Sequence, residues 1–340
     1  MTQLPALTVS VVIKALNEEE RVAAAIQSAL TAVKLVGGEV ILADSCSTDR
    51  TIEIAREYPM TIVQLKNPGE RRCGVGPQLG YQVARGEFIY ILDADMELDP
   101  DFLPAALAAM EQQPRLAGVA GLIDEQSEAS YQFRGRKRRK RESVAGTPQW
   151  LDMGGLYRSS ALQEVGYFSN RNLHAYEEMD LGLRLTHAGW TLQRLPVRSV
   201  LHYGYETGNW SLLAKRWRSR YLDGAGELLR AAVGKSYFHD VAISQKHLFV
   251  GLGIWAGLIT GILLLPAIPW LLTTTLLVIL VLIAIRALRI GSIADALFGQ
   301  VVWQVTSVAM LRGLLTKPVD PFVPIEQIIL ALGKTKKNLD

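Results

Sequence analysis

Between His247 and Arg286 lie 38 consecutive residues, 248–285, without one Asp, Glu, Lys or Arg. A soluble core helix rarely needs more than about 20 such residues, and roughly 20 already span a bilayer. With Pro266 and Pro269 near its middle, the stretch reads as a transmembrane hairpin with helices over about 248–265 and 267–286. Lys235 and Lys246 precede it and Arg286 and Arg289 follow it, while the link between its halves is uncharged. The positive-inside rule then predicts that both outer ends face the cytosol. Residues 293–311 are apolar apart from Asp295, Gln300 and Gln304; a third crossing and a packed or interfacial helix both fit them.

A chain of 340 residues has room for about two folding units. Its 36 basic and 33 acidic groups leave a net charge of +3, which argues against a nucleic-acid-binding polycation. Two cysteines, Cys46 and Cys73, exclude a disulfide framework, and MTQLPALTVS lacks the basic flank and apolar stretch of a signal peptide. The first 245 residues are therefore expected in a reducing cytosol.

Short apolar runs, TVSVVIKA, EVILAD, MTIVQL and EFIYILDAD, alternate with helix-sized segments from the start. This order predicts an α/β fold, a mostly parallel sheet with helices on both faces. Asn17 and Glu20 are spaced as a capping box, followed by Val22, Ile26, Leu30 and Val33 on one helical face. Residues 124–148 read as a flexible loop. Within it the run from Arg134 to Arg141 has seven Lys or Arg in eight positions. Solvation suits such a run, and so does contact with anionic lipid headgroups, at about 1 kcal/mol per basic residue near the surface. Over 210–229, Leu212, Leu213, Trp217 and Tyr221 interleave with Lys215, Arg216, Arg218 and Arg220, which predicts an interfacial helix and a second contact with anionic lipids. The expected organisation is a cytosolic domain over 1–235, a membrane region over 236–315 and a cytosolic tail over 316–340.

Asp93 and Asp95 sit at the end of the apolar run 88–92. Ligands of open parallel sheets bind beyond the carboxyl ends of strands, and two carboxylates at i and i+2 can hold a divalent cation. A turn in which Asp95 or Asp99 caps the next helix fits the same pair. Asp44 ends EVILAD likewise, followed by Ser45, Ser47, Thr48 and Asp49, next to where the first strand delivers Leu16 and Asn17. Three strands ending in polar groups outline one pocket.

These residues resemble the family 2 glycosyltransferases with the GT-A fold. The likeness runs through VSVVIKALNEEE, ILADSCSTDRT, RRCGVGPQLGYQVARGEFIYILDAD, DMGGLYRSSALQEVGYF and YEEMDLGLRLTHAGW, over about residues 8–196. It implies a GT-A, Rossmann-like sheet and a nucleotide-sugar donor, whose base meets Asp44 and whose nucleoside meets Asp93. Lys14, Leu16, Asn17, Glu18 and Ala94 belong to the same donor pocket. Arg72, fourteen residues before Gly86, is similar to a basic residue that neutralises the diphosphate. Asp95 is implied as ligand to Mg²⁺ or Mn²⁺. Within the acidic helix start, Glu178 is implied as catalytic base and Glu177 as its helper. His202, in SVLHYG, fits both a completed metal sphere and a structural hydrogen bond. Three positions depart from the family pattern: Lys14 and Leu16 replace the more common Pro or Thr and Tyr, and Gln78 replaces a frequent Asn.

Inverting transfer of a sugar needs a carboxylate to take the acceptor proton and a cation to stabilise the leaving diphosphate. The membrane hairpin suggests a lipid-linked or membrane-proximal hydroxyl acceptor, as in synthesis of cell envelope polysaccharide. A processive polysaccharide synthase is the alternative enzyme, but KRWRSRY carries Leu213 where Q-x-x-R-W has Gln, and two crossings make a poor channel. A non-catalytic nucleotide-binding membrane scaffold is disfavoured by the intact Asp93, Asp95 and Glu178. A Rossmann oxidoreductase lacks its G-x-G-x-x-G after the first strand.

Overall fold

The computed structural model describes residues 8–126, 146–152, 154–204 and 208–333. The run from Arg134 to Arg141 lies outside the described residues. The chain forms two compact units, one made of residues up to Glu206 together with Pro318 onward, the other of Thr207–Lys317. This division falls earlier than residue 235, and the segment after 317 returns to the first unit.

In the first unit, β1 (Val9–Ala15), β2 (Gly38–Asp44), β3 (Thr61–Leu65) and β4 (Phe88–Asp93) lie parallel in the order β3-β2-β1-β4. Connections between them carry α1 (Val22–Val36), α2 (Thr51–Ala55) and α3 (Val75–Tyr81). Side chains alternate along a strand, so Val9, Val11 and Ile13 of β1 join one core layer while Val12 joins the other. The first layer is completed by Val22, Ile26 and Val33 of α1, the second by Val75 and Leu79 of α3. Apolar burial on both faces explains why these strands read as near-continuous apolar runs.

The parallel expectation holds up to Asp93, and beyond it the sheet is mixed. Only Ala94 and Asp95 separate β4 from β5 (Met96–Leu98), too few for a crossover. Strand β5 pairs antiparallel with β8 (Thr191–His202), which lies parallel to β6 (Leu116–Glu125). β7 (Gly155–Arg158) runs antiparallel to both β4 and β6, and β9 (Gln327–Ala331) antiparallel to β3. Among the described residues the unit also contains α4 (Phe102–Gln112), α5 (Ser159–Glu164) and α6 (Glu177–His187).

Asn17 does not cap α1, which starts at Val22 behind Arg21 with no side-chain cap. It adopts φ +56° instead, a left-handed conformation that Asn tolerates, and its Oδ1 accepts the Thr48 N–H at 2.7 Å. Asn17 thus ties the end of β1 to the turn after β2.

The second unit contains α7 (Asn209–Arg218), a 3₁₀ turn (Tyr221–Asp223), α8 (Gly224–Ala232), α9 (Phe238–Ser244), α10 (Lys246–Leu263), α11 (Pro269–Ile290) and α12 (Ile293–Leu315). The single helix expected over 210–229 is interrupted at Arg220, where φ is +62°. Its first half, α7, exposes Trp210 and carries Lys215, Arg216 and Arg218. Its second half, α8, buries Ala225, Leu228 and Leu229 and packs on α12. Their backbones approach so closely that a Cβ on Gly226 would fall 1.9 Å from the Met310 carbonyl oxygen. Fully buried Asp223 joins the two through Arg312 at 2.6 Å. Helices α10, α11 and α12 are each long and apolar enough to cross a membrane. Pro269 opens α11, where its missing N–H costs no helical bond, and Gly261 lets α10 approach the Leu272 backbone.

Candidate active site

Lys14 is in register with Asp93 on β4, and Ala15 with Asp44 on β2. The ends of three parallel strands therefore meet, and beside them opens a cleft lined by Lys14, Asp93, Gly155, Glu177 and Glu178 among others. Glu177 and Glu178 open α6, after Tyr176 turns the chain at φ +70°.

The loop that delivers them is held from several sides. Gln78 Oε1 accepts the backbone N–H groups of Phe168 and Ser169, both at 3.0 Å. Arg184, paired with buried Asp180 at 2.9 Å, donates to the carbonyls of Tyr167 and Phe168 at 2.7 and 3.0 Å. Asn172 exchanges two hydrogen bonds with the Val319 backbone, at 2.7 and 2.8 Å. Arg171 donates to the Val323 carbonyl at 2.8 Å and pairs with Glu70.

Charge is concentrated at the cleft. Lys14 Nζ lies 2.9 Å from Asp93 and 3.6 Å from Glu177. Burial opposes the ammonium, but Asp93, Glu177 and Glu178 together outweigh it and hold Lys14 well above its ordinary value. Burial first, and the Glu177 charge second, push Glu178 up to about 8, with Lys14 pulling the other way. Burial also raises the neighbouring Cys73 thiol well above its usual range, helped by Glu177, so Cys73 is uncharged at neutral pH.

Asp95 and His202 face each other, Oδ2 to Nε2, at 3.4 Å. The second ring nitrogen of His202 lies 2.7 Å from Glu125. Burial works against a charged imidazole here, yet hydrogen bonds accepted by Asp95 and Glu125 prevail and push His202 up to about 9. A carboxylate oxygen and an imidazole nitrogen suit Mg²⁺ or Mn²⁺, and 3.4 Å is compatible with two ligands each about 2.1 Å from one ion. Among the described residues no three His, Cys, Asp or Glu gather in a metal-binding group, so such an ion would draw its remaining ligands from water and substrate.

The other expected donor residues are distributed around this centre. Asp44 is fully buried and accepts from Ser47 Oγ at 2.5 Å, the Ser47 N–H at 3.0 Å and Gln64 at 2.9 Å. Leu16 is exposed, the Glu18 N–H donates to Thr51 Oγ1 at 2.8 Å, and Ala94 is buried with its N–H on the Lys14 carbonyl at 3.1 Å. Arg72 is half-buried, and its Nε has no hydrogen-bond partner.

Residues 10–166 match the sequence profile described as Glycosyl transferase family 2. That segment of the chain resembles the family 2 glycosyltransferases. Glucomannan 4-beta-mannosyltransferase 7 of Arabidopsis thaliana is 27% identical over 173 residues, 45% of this chain but only 29% of that relative's length. N-acetylglucosaminyl-diphospho-decaprenol L-rhamnosyltransferase of Mycobacterium tuberculosis is 28% identical over 232 residues, 54% of this chain and 73% of the relative. Mannosyltransferase PcManGT from Pyrobaculum calidifontis, solved in complex with GDP-Man and Mn²⁺, shares 16% identity and superposes with a TM-score of 0.55 over 92% of this chain and 89% of that one. That likeness establishes the GT-A fold.

Around this cleft, sequence reading missed three residues. Arg71, and not Arg72, grips the turn after β2, donating to the Ser45 carbonyl at 2.8 Å and to that of Cys46. Two adjacent arginines look alike in sequence, and only the fold separates them. Gln78, visible only as a departure from Asn, proves to be the brace of the 168–169 backbone. Glu125 lay in a segment read as a polar loop, and nothing in its local sequence marks it as the neighbour of His202.

Proposed function

We propose that this glycosyltransferase is membrane-anchored and inverting, moving a sugar from a nucleotide-diphosphate donor to a hydroxyl on a lipid-linked or membrane-proximal acceptor. The observation that carries this is the single cleft joining Lys14 and Asp93 at strand ends to Glu177 and Glu178 at a helix start. The Glu178 carboxylate takes the proton of the acceptor hydroxyl as the new sugar–oxygen bond forms and the sugar–phosphate bond breaks on the opposite face. Glu177 keeps Lys14 turned toward the base, and Lys14 in turn makes the base more easily ionised. Asp93 receives the nucleoside, beside Leu16, Asn17, Glu18 and Ala94. Asp44, being enclosed, serves the base of the donor by fixing the Ser47 turn. Arg72 offers a guanidinium to the diphosphate. Asp95 and His202 would hold Mg²⁺ or Mn²⁺, which when bound offsets the charge gathering on the departing diphosphate.

The first unit works in the cytosol, and α10 and α11, within residues 236–315, form the anchor. Two crossings, α10 and α11, suit this topology better than three. The chain leaves the first unit at Glu206 and re-enters it at Pro318, and β9 pairs with β3, which supports an even number of crossings between. Helix α12 then stays on the cytosolic side, in keeping with its packing on α8. Lys215, Arg216 and Arg218 meet anionic lipid headgroups, as does the run from Arg134 to Arg141. The polyprenyl-diphosphate acceptor in the name of the mycobacterial relative and the GDP-Man and Mn²⁺ bound to PcManGT support these acceptor, donor and metal classes.

Thermal stabilisation of the purified protein by a panel of nucleotide sugars with Mn²⁺ identifies the donor, since a ligand bound to the folded state raises stability with the logarithm of its excess. Asp95→Ala and Glu178→Gln should then each abolish transfer while the protein stays folded. Near-normal turnover in either overturns that role. One sugar added per acceptor distinguishes this enzyme from a processive synthase, which leaves a ladder.

A further inference from the structure

We propose that Glu125 is a positioning residue that aims His202 at the divalent cation; this rests on the metal-assisted reading above. Glu125 ends β6 and is 3% exposed, directly in register with His202 on β8. An ionised carboxyl is rarely enclosed this far unless it is paired. Its Oε1 lies 2.7 Å from His202 Nδ1. A carboxylate can only accept, so Nδ1 carries the hydrogen and Nε2 is the nitrogen turned to Asp95, 3.4 Å away. Two backbone hydrogen bonds lock the assembly: the Gln126 N–H donates to the His202 carbonyl at 2.8 Å, and the Tyr203 N–H donates to the Asp95 carbonyl at 3.2 Å. The end of β6 thereby fixes the imidazole, and the end of β8 fixes the Asp95 turn.

This is the arrangement by which a second carboxylate sets the tautomer and ring orientation of a metal-binding histidine, and loss of such a partner typically costs 10- to 100-fold in metal affinity. None of the steps assigned to donor binding or proton removal uses Glu125. Its separation from the ion by a whole imidazole ring distinguishes it from Asp95, which would touch the metal itself.

The test uses the full-length protein in detergent, with Mn²⁺ and inorganic pyrophosphate as the diphosphate probe. Electron paramagnetic resonance reads both the free Mn²⁺ and the ¹⁴N coupling of a bound imidazole. Wild type should bind Mn²⁺ with ¹⁴N coupling. Glu125→Gln keeps the shape and can still accept from Nδ1, but loses the charge; it should bind Mn²⁺ about 10- to 100-fold more weakly and show weakened ¹⁴N coupling. Where Glu125→Ala fails to fold, Glu125→Gln carries the test, with its melting temperature as the control. Added to His202→Ala, Glu125→Gln should cause no further loss, whereas an additive loss contradicts action through the histidine. Wild-type affinity and coupling in Glu125→Gln overturn this role alone. Absence of Mn²⁺ binding by the wild type overturns it together with the cation reading.

Discussion

Lys14 Nζ lies 2.9 Å from Asp93, at the point where β1 and β4 are in register. The same ammonium is 3.6 Å from Glu177, so one cation links the strand end to the start of α6. That charge also acts on Glu178, the group proposed to accept a proton, by favouring its ionised form.

Replacing Lys14 by Met should lower kcat/KM for the donor about tenfold or more, the scale of a lost charged hydrogen bond. Lys14 is also the cation that opposes the rise of Glu178, so the break in the pH–rate profile should move above about 8. An unmoved break in Lys14→Met would show that Lys14 does not act on the base.

In its proposed role Glu178 takes a proton only when ionised, so kcat/KM of the wild type should rise with pH and level off above about 8. Stability runs the other way. The folded-state value of Glu178 lies above its unfolded value of about 4.3, so its contribution is full below that value and is lost as pH rises through about 8. Glu178→Gln should therefore be inactive yet more stable than wild type at pH 8, by roughly 1–3 kcal/mol, with the difference vanishing near pH 4. Melting curves of both proteins across this range check the sign.

Gly74 carries no side chain because a Cβ there would lie 2.0 Å from the Asn170 carbonyl oxygen, while its N–H donates to Leu173 at 3.0 Å. Gly74→Ala should displace the loop leading to Glu177 and Glu178. A loss of about 1–3 kcal/mol in stability and a fall in kcat are expected. Unchanged kcat would detach this contact from the positioning of α6.

Asn172 holds the returning chain at Val319, and Asn172→Ala strands a backbone donor and acceptor at a cost of about 1–3 kcal/mol. Protease sensitivity of the 166–173 loop should rise. Removal of residues from 318 onward should have a larger effect of the same kind, because it also deletes β9 from the edge of the sheet.

Membrane topology can be read with single cysteines in a background lacking Cys46 and Cys73. With two crossings, a cysteine at Ala267 should react with an impermeant reagent from outside the cell and one at Ser292 only from the cytosol. Labelling of a cysteine at Thr316 from outside would favour a third crossing instead.

The strand ends were legible because their cause is local. An apolar run of a buried parallel strand stops where carboxylates begin, and Asp44, Asp93 and Asp95 announced this in the text of the chain. The helix start at Glu177 and the long apolar stretch were equally local. Beyond Asp93 the sheet mixes directions, with β8 parallel to β6 but β5 and β7 antiparallel to their neighbours, since strand direction depends on which edge a short segment reaches and not on its composition.

Sequence by itself determined the α/β nucleus, the family motifs and the apolar hairpin, because periodicity and uncharged length act over a few neighbouring residues. Tertiary structure alone brought Glu125 to His202 across 77 positions, set Arg71 on the turn after β2, and returned residues 327–331 to the edge of the first unit. Hydrogen-bond pairing between distant strands decides such contacts, and the energy of a pair depends on its geometry in space, which no window of sequence contains.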